Sequence, residues 1–312
     1  MEFKLNFELS KPHFTIKHGE GMVFLGSCFS DEIAEKARYS GMNVSANPFG
    51  TVFHPTLLST FINESIKGVV NERILNRNDV FLSWDANSTI FDYGSSELIE
   101  KLQQIRNNFI NEVKSAKVLF VTFGTAWIYR RLEDDHFVAN CHKIAATHFS
   151  KELISSDTIY HQWEKTVDIL KELNPTLEIV FTVSPVRHIK DGLVENNQSK
   201  AILIDVVRRL TEKYSLYYFP SYEIVIDELR DYRFYKKDRV HPSDEAIEYI
   251  WRRFEILFYD KDTIDLNHQV EAFRRVLSHK SIHSGVEDQL QKETNEKRLN
   301  EFLKTHPAIR FN

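Results

Sequence analysis

Short apolar runs that alternate with amphipathic segments make up most of this chain. Three runs are rich in β-branched and aromatic side chains and end at small or polar residues or at proline: Met22–Leu25, Val118–Phe123 and Ile179–Val183. Runs of this kind predict fully buried strands. A fourth run, Leu216–Phe219, carries three aromatic residues and ends at Pro220, so it predicts another strand.

The segments between these runs predict helices. In Ser96–Ser115, apolar residues recur every three or four positions and define one face. Thr158–Leu173 and Gln198–Tyr214 show the same period, and Asn174 before proline ends the first of them. Strands and helices that alternate at these lengths predict crossover connections. We therefore expect an α/β fold of three layers, with a parallel sheet between two layers of helices.

The character of the chain changes after Tyr259. Residues 260–312 are charged, have a helical pattern and contain few strand signals, and Gln289–Leu303 is especially polar. We predict a main domain over residues 1–259 and a C-terminal helical extension over residues 260–312. The extension either packs on the main domain or a partner, or it is a solvated helix, and the pattern favours neither. A homo-oligomer formed through these helices is one expectation.

Charge and composition limit the classes of partner. Forty Lys and Arg against 45 Asp and Glu give a net charge of −5, which argues against general nucleic-acid binding. No apolar stretch is long enough to span a bilayer, and the N-terminal segment does not resemble a secretory signal. Cys28 and Cys141 have no zinc-type or redox spacing, which favours a reducing compartment. We expect a cytoplasmic protein that binds neither membranes nor nucleic acid.

The turn after the first predicted strand is the first candidate for chemistry. Gly26-Ser27 ends the apolar run, and a helical pattern that starts with an acid follows. A hydroxyl is thereby placed at the carboxyl end of a strand, where ligands bind in open parallel sheets. Helix N-terminal N–H groups there favour a developing negative charge, so Ser27 is a candidate nucleophile. A simple N-cap is the alternative. We expect Cys28 to be a small core residue rather than the nucleophile.

A second polar segment precedes a late helix. Pro242 disfavours helical geometry at His241, and Ser243 followed by Asp244 predicts a helix start. Asp238 lies three residues before His241. Its carboxylate can hold one ring nitrogen so that the other accepts a proton from a serine. A surface contact that only caps the helix is the alternative.

Together these two segments follow the chain order of the SGNH/GDSL hydrolases. Gly26-Ser27-Cys28-Phe29-Ser30 resembles the sequence that gives the GSCFA-domain family its name, an SGNH-like group found mostly in bacteria. The resemblance extends over roughly residues 20 to 258 and implies an SGNH-hydrolase-like, flavodoxin-like fold. Four further segments carry it: Asn47–Val52, Phe123–Trp127, Thr182–Gly192 and Phe219–Ser243.

The resemblance also implies roles for single residues. Ser27 would be the nucleophile, His241 the general base and then acid, and Asp238 the residue that orients the ring. The backbone N–H groups of Ser27 and Gly50 would donate to the oxyanion, since glycine lets the backbone approach closely. An ordinary turn after Pro48 is the alternative for Gly50.

One position departs from the SGNH pattern. The third block of these enzymes usually supplies an asparagine as a further oxyanion donor, whereas this chain has Ala126. Losing one such donor can cost about 3–4 kcal/mol of transition-state stabilisation. Asn47 and Thr125 are candidates to replace it, and Asn47 is favoured because its amide is the better substitute. The resemblance to GSCFA sequences includes this replacement.

The remaining candidates concern substrate binding. Arg187 follows the third predicted strand and suits a carboxylate or phosphate on the substrate, with an internal pair to Asp191 as the alternative. His188, Trp127 and His142 are expected to line or border the pocket. No metal-ligand spacing and no phosphate-binding glycine loop is present, so we expect neither a metal nor a cofactor.

We therefore expect a serine esterase of SGNH type. It would hydrolyse an acyl ester, for instance an O-acetyl group on a carbohydrate, through an acyl-enzyme on Ser27. Two alternatives stay open: an acyltransferase that uses the same residues, and a binding module without activity. The intact set of Ser27, Asp238 and His241 favours an enzyme, and Ala126 favours the silent module.

Overall fold

The computed structural model describes residues 8–68, 72–278 and 286–311. The strands in these ranges are β1 (Gly21–Gly26), β2 (Asn43–Ala46), β3 (Ile74–Arg77), β4 (Val80–Ser83), β5 (Phe91–Asp92), β6 (Ala116–Phe123), β7 (Trp127–Arg131), β8 (His136–Val138), β9 (Phe149–Leu153), β10 (Glu178–Val183) and β11 (Tyr217–Tyr218). The helices are α1 (Cys28–Tyr39), α2 (Pro55–Lys67), α3 (Ser95–Ser115), α4 (Ser156–Leu173), α5 (Leu193–Tyr214), α6 (Ser221–Glu223), α7 (Asp244–Phe258), α8 (Lys261–Ser278) and α9 (Val286–Thr305).

A five-stranded parallel sheet forms the centre of the molecule. Its strand order is β11-β10-β6-β1-β2. Numbered along the chain, these five strands have the order 2-1-3-4-5 of flavodoxin-like folds. The order reverses between β1 and β6, so the carboxyl ends of these two strands frame a crevice. The predicted parallel sheet is confirmed.

Helices cover both faces of this sheet because side chains alternate along each strand. Val23 and Leu25 of β1 point into a core that α2 to α5 complete, whereas Met22 and Phe24 point into a second core completed by α1 and α7. The largest buried side chains of the two cores include Phe109, Trp163, Phe181, Phe29, Trp251 and Phe254. The predicted arrangement of three layers is therefore confirmed.

Two small antiparallel sheets, β3-β4-β5 and β8-β7-β9, extend the fold beyond the prediction. They are joined to each other where the N–H of Ala139 donates to the carbonyl of Trp84 at 2.8 Å. The second sheet begins directly after β6, at the carboxyl edge of the parallel sheet. It is therefore placed to form a wall beside the crevice.

The C-terminal extension packs on the main domain through α8. Val270 is fully buried, and Ser40 donates its hydroxyl to Glu271 at 2.9 Å. Near the end of the chain, the N–H of Arg310 donates to the carbonyl of Gly41 at 2.8 Å. Of the two alternatives for the extension, packing describes α8. A homo-oligomer through these helices stays a prediction, and part of Gln289–Leu303 has side chains outside the described residues.

Neither a metal-binding cluster of side chains nor a membrane-spanning helix occurs in the described ranges. No group of three or more His, Cys, Asp or Glu side chains there has an arrangement suited to a metal ion. Among the helices of the same ranges, none is both long and apolar enough to cross a bilayer.

Candidate active site

The crevice between β1 and β6 owes its geometry to Gly26. This residue has φ +131°, in the region that favours glycine, and a Cβ there would overlap the carbonyl oxygen of Thr122 on β6. Glycine thus allows β1 to approach β6 closely and turn at once into α1. Ligands bind at such a reversal of strand order in parallel α/β sheets, which makes this the expected place for a site.

Asp238 and His241 meet beside this crevice. The Nδ1 atom of His241 lies 2.7 Å from Oδ2 of Asp238, and Oδ1 of Asp238 accepts the N–H groups of Val240 at 2.8 Å and His241 at 3.0 Å. The hydrogen bond from the imidazole, supported by these N–H groups, holds the pKa of the Asp238 carboxyl well below its usual range. The carboxylate therefore fixes the ring and leaves Nε2 to exchange a proton. The predicted contact is present.

The loop that carries this pair is tied to its surroundings. The carbonyl of His241 accepts the N–H of Lys236 at 2.7 Å, and the carbonyl of Val240 accepts that of Arg187 at 3.2 Å. Ser243 caps α7 by accepting the N–H of Ala246 at 3.3 Å, as its position after proline predicts. The cap and the cross-links hold the ring in place at the edge of the sheet.

A cavity of about 770 Å³ opens at this edge. The Asp238–His241 pair lies in its wall, and both side chains are nearly half exposed, at 46% and 44%. The sheet β8-β7-β9 forms another wall. The lining of the cavity includes Cys28, Thr125, Trp127, Lys151, Arg187, His188, Asp238 and His241.

Ser27 does not reach this cavity. Its side chain is fully buried, and within the described residues its Oγ has no hydrogen-bond partner. It is the N-cap residue of α1 in position only, because its hydroxyl caps no N–H group. In this arrangement the hydroxyl is closed to solvent and makes no hydrogen bond to His241. The role of Ser27 as nucleophile therefore stays a prediction.

Cys28, the next residue, lines the cavity instead. It is half-buried at the first position of α1. Burial raises the pKa of its thiol, and the carboxylates of Asp31 and Glu32 raise it further, against the N–H groups of Cys28 and Phe29 that lower it. It also packs against the core that contains Phe24 and Phe29, which agrees with the prediction of a small core residue. A second pocket, lined by Asp31 and Glu32, borders the same residue.

Gly50 and Asn47 hold the turn after β1 rather than an oxyanion. The N–H of Gly50 donates to the carbonyl of Asn47 at 2.7 Å, and Gly50 has φ +70°. The Asn47 amide accepts the N–H of Gly26 at 2.7 Å and donates to Asp31 at 2.8 Å. Neither residue lines the cavity. Their predicted donor roles are corrected, since the groups concerned are already engaged, and the alternative of a turn describes Gly50.

Thr125 does line the cavity, just beyond β6. Its Oγ1 accepts the N–H of Trp127 at 3.1 Å and lies 3.1 Å from Oγ of Ser199. Ser199 in turn accepts the N–H of Ala126 at 2.7 Å. Ala126 is fully buried and offers no side-chain donor, as expected. Of the two side chains expected to replace the missing asparagine, only Thr125 borders the cavity.

Arg187 lines the cavity without the internal acid that was its alternative partner. Asp191 pairs with Lys151 instead. The guanidinium of Arg187 stacks on two rings, at 4.1 Å from the centroid of Tyr235 and 5.3 Å from that of Tyr232. Within the described ranges it has no carboxylate at ion-pair distance. A cation held flat by aromatic rings keeps its N–H groups available for a ligand.

His188 lines the cavity as a neutral ring. Burial, followed by the charges of Lys200, His241 and Lys151, lowers the pKa of His188 to about 3. Its ring meets Phe53 edge to face at 5.4 Å, and its Nε2 is buried with no partner among the described residues. A ring with so low a pKa is a weak base. His188 is therefore suited to hydrogen bonding with a ligand rather than to proton abstraction.

Trp127 and His142 were both predicted to lie at the pocket, and the structure places them differently. Trp127 lines the cavity as predicted, with its indole N–H donating to the carbonyl of Glu195 at 3.2 Å. His142 does not line it: the ring is buried against Trp84 at 5.6 Å, and its Nε2 lies 2.8 Å from the carbonyl oxygen of Ser83. The expectation that His142 borders the cleft is corrected.

The part of the chain that contains β1, the following turn and the Asp238–His241 loop matches a known protein family. The profile of the GSCFA family matches residues 21–254. This chain belongs to the GSCFA family. The GSCFA match begins at β1 and ends inside α7, so it includes the parallel sheet, the cavity and the Asp238–His241 pair. The helices α8 and α9 lie beyond it. The resemblance to GSCFA sequences is thus confirmed.

Solved structures are only distantly similar to this GSCFA protein. The periplasmic domain of a lipopolysaccharide acetyltransferase from Salmonella ser. Paratyphi A shares 12% identity with a TM-score of 0.32, covering 68% of this chain and 70% of its own. A protein named as a GDSL-like lipase from Parabacteroides merdae ATCC 43184 shares 16% at 0.37, covering 79% and 100%. A family 3 carbohydrate esterase from Clostridium thermocellum shares 12% at 0.34, covering 81% and 99%. Similarity at this level indicates nothing about activity. No curated protein matches the chain significantly.

Proposed function

We propose that this cavity hydrolyses acyl esters through a covalent acyl intermediate, with His241 as general base and then acid. The observation that carries the proposal is the 2.7 Å hydrogen bond between His241 and Asp238 in the wall of the cavity at the reversal of strand order. A carboxylate that holds one ring nitrogen fixes the tautomer and stabilises the imidazolium that forms during proton transfer. Asp238 is the positioning residue.

The proposal of catalysis is supported by the cavity next to Asp238 and His241, because the contact between these two residues is not unusual by itself. His161 and Glu164 form a pair with the same spacing of three residues and the same distance of 2.7 Å, but on the exposed surface of α4. A pair of this kind by itself is an ordinary surface interaction. Of these two pairs, the Asp238–His241 pair adjoins a cavity that also contains a helix N-terminus, where N–H groups stabilise a developing oxyanion.

The proposed reaction needs a nucleophile on the turn between β1 and α1. That group gives its proton to Nε2 of His241 and attacks the acyl carbonyl. The imidazolium then protonates the departing alcohol, and water, activated by the same ring, releases the acid. The likeness of the sequence to SGNH hydrolases supports small O-acyl groups, such as acetyl on a carbohydrate, as the substrate class.

Hydrolysis of 4-nitrophenyl acetate tests the proposal. We expect turnover by the wild type and a loss of about 10²–10⁴-fold in kcat for His241→Ala and for Asp238→Asn. His161→Ala, which removes the matched surface histidine, serves as the control and should behave as the wild type. Absence of turnover in the wild type, or full turnover in His241→Ala, would contradict the proposal and favour a binding module without activity.

Acyl transfer is the alternative reaction of the same cavity, and its products distinguish it from hydrolysis. An acceptor hydroxyl could replace water in the second half of the reaction, with the same residues. Product analysis with and without sugar acceptors distinguishes the two, because transfer yields an acylated sugar and hydrolysis yields the free acid. Hydrolysis is the proposed reaction, so free acid should be the main product in both mixtures.

A further inference from the structure

We propose that the substrate of this cavity carries an anionic group, a carboxylate or a phosphate, that Arg187 binds beside the ester. The inference rests on the proposed ester hydrolysis and narrows the substrate class from carbohydrate esters to esters of acidic sugars. Arg187 lines the same cavity as Asp238 and His241 and stacks on two tyrosine rings. It is the charge balance of the lining and the position of these rings that single out this residue.

Positive charge predominates in the lining of the cavity. The lining includes three cationic side chains, Lys151, Arg187 and Lys190, and two carboxylates, Asp191 and Asp238. Both carboxylates are engaged, because Asp191 pairs with Lys151 and Asp238 holds the imidazole described above. Within the described ranges, no carboxylate lies at ion-pair distance from Arg187 or Lys190. The cavity therefore favours an anionic ligand, although the whole chain has a net charge of −5.

Aromatic rings support the guanidinium of Arg187. Its Cζ atom lies 4.1 Å from the centroid of the Tyr235 ring and 5.3 Å from that of Tyr232. Because Tyr235 is buried, its ring is a fixed support. Stacking occupies the face of a guanidinium and leaves the N–H groups at its edge, whose fork matches two oxygens of a carboxylate or a phosphate. The side chain is thereby arranged for an oxyanion before any ligand arrives.

The loop that carries His241 also supports Arg187. Tyr235 forms an isolated β-bridge with Pro242, the residue after His241. The carbonyl of Val240, the residue before His241, accepts the N–H of Arg187 at 3.2 Å. Arg187 is therefore tied to this loop through its backbone and through its side chain. A single ligand in the cavity can contact both the guanidinium and the imidazole, so the anionic group and the ester belong to the same substrate.

The other two cations of the lining suit this role less well. Lys151 is paired with Asp191, and its Nζ atom lies 5.1 Å from the centroid of the Trp127 ring. Lys190 is an exposed side chain on the short turn before α5. A flexible lysine of this kind attracts an anion to the cavity but does not fix its orientation.

Arg233 provides a matched control. Its guanidinium also lies over an aromatic ring, 5.0 Å from the centroid of Phe234. It differs from Arg187 because Asp231 lies 3.8 Å from it and because it does not line the cavity. Arg233→Met therefore removes the same charge and a similar stacking contact without affecting the proposed anion site.

The test is to titrate the full-length protein with glucuronate, glucose 6-phosphate and glucose, and to measure each Kd by ligand-observed NMR. We expect at least one of the two anions to bind the wild type about 10- to 100-fold more tightly than glucose, and Arg187→Met to lose this preference. Arg233→Met should retain it. Preference for glucuronate alone identifies a carboxylate as the bound group, and preference for glucose 6-phosphate alone identifies a phosphate.

Two results overturn the inference. The first is a wild type that binds the three sugars equally or binds none of them, and this result does not depend on the folding of any variant. The second is a preference for anions that survives in Arg187→Met. Because these titrations need no turnover, they are separate from the test of ester hydrolysis. Hydrolysis without a preference for anions rejects the anion site alone, whereas a preference lost in Arg187→Met without hydrolysis supports the site and rejects the proposed function.

Discussion

The Nζ atom of Lys200 donates to the carbonyl of Gly124 at 2.8 Å and to that of Ser184 at 2.6 Å, deep inside the protein. These carbonyls follow β6 and β10 directly, so the lysine on α5 joins the ends of two central strands next to the cavity. Its burial is complete, and burial lowers the pKa of Lys200 to about 7. Within the described ranges no carboxylate pairs with it. This group should therefore make stability depend on pH.

We expect the free energy of unfolding to rise between about pH 7 and pH 10. In that window the unfolded chain keeps a proton on Lys200, with a pKa near 10.4, that the folded protein has lost, so raising the pH favours the folded state. The full contribution is on the order of 5 kcal/mol. Urea unfolding of the wild type and Lys200→Met across this range provides the measurement. Since all other groups are shared, parallel curves for the two proteins would show that Lys200 does not titrate in this way.

Gly26→Ala should destabilise the fold severely. A methyl group there would overlap backbone atoms of Thr122, and the positive φ adds strain. A loss of about 3 kcal/mol or more in the free energy of unfolding is expected. Gly68→Ala is the matched control, because Gly68 also has positive φ but has no atom within 4 Å of the added methyl group. It should lose only about 1–2 kcal/mol. Equal losses in chemical denaturation would show that close approach to β6 is not what requires Gly26.

Arg187→Met should weaken binding of anionic substrates selectively. The stacked guanidinium is available to a carboxylate, and hydrogen bonds to charged groups contribute about 1.5–3 kcal/mol. The KM for a succinyl ester should therefore rise about 10- to 100-fold, whereas the KM for the uncharged acetyl ester should hardly change. Arg233→Met, which removes an exposed arginine beside Phe234, is the control. A similar rise for both esters would point to a structural defect instead.

Alkylation of Cys28 by iodoacetamide should respond to Asp31. The raised pKa of the thiol predicts slow labelling at pH 7. The labelling rate should still increase above pH 9, because the thiolate is the reactive form. Asp31→Asn removes a charge that disfavours the thiolate, so the labelling curve should move to lower pH. The rates are measured in a Cys141→Ala background so that one thiol reports. An unchanged curve would remove Asp31 as a cause of the shift.

The strands and helices of the central sheet follow closely from the sequence. The apolar run Val118–Phe123 is the core of β6, and the periodic segment Ser96–Ser115 is α3 with one residue added at its start. These elements are predictable because burial on one face imposes a period that local sequence records. The edge strand β2 escaped prediction because all of its residues are only partly buried.

The two small sheets were not predictable in the same way. Strands such as β5, with two residues, and β8, with three, are too short to show a period. Their pairing is decided by contacts distant in sequence, such as the hydrogen bond between Ala139 and Trp84. The sheet β8-β7-β9 supplies a cavity wall that includes Lys151, a residue that sequence reasoning did not identify.

For the candidate site, the sequence determined the contact between Asp238 and His241 through local spacing. Asp238 and His241 lie three residues apart on a loop that Pro242 and Ser243 hold before a helix, and that spacing is enough to form their hydrogen bond. Only the tertiary structure decided how far each residue at the end of β1 is buried. At the end of β1, Ser27 is fully buried, whereas the next residue, Cys28, is half-buried and lines the cavity. No local sequence pattern records this difference. Side-chain direction there depends on how closely β1 approaches β6, which is a property of the assembled sheet.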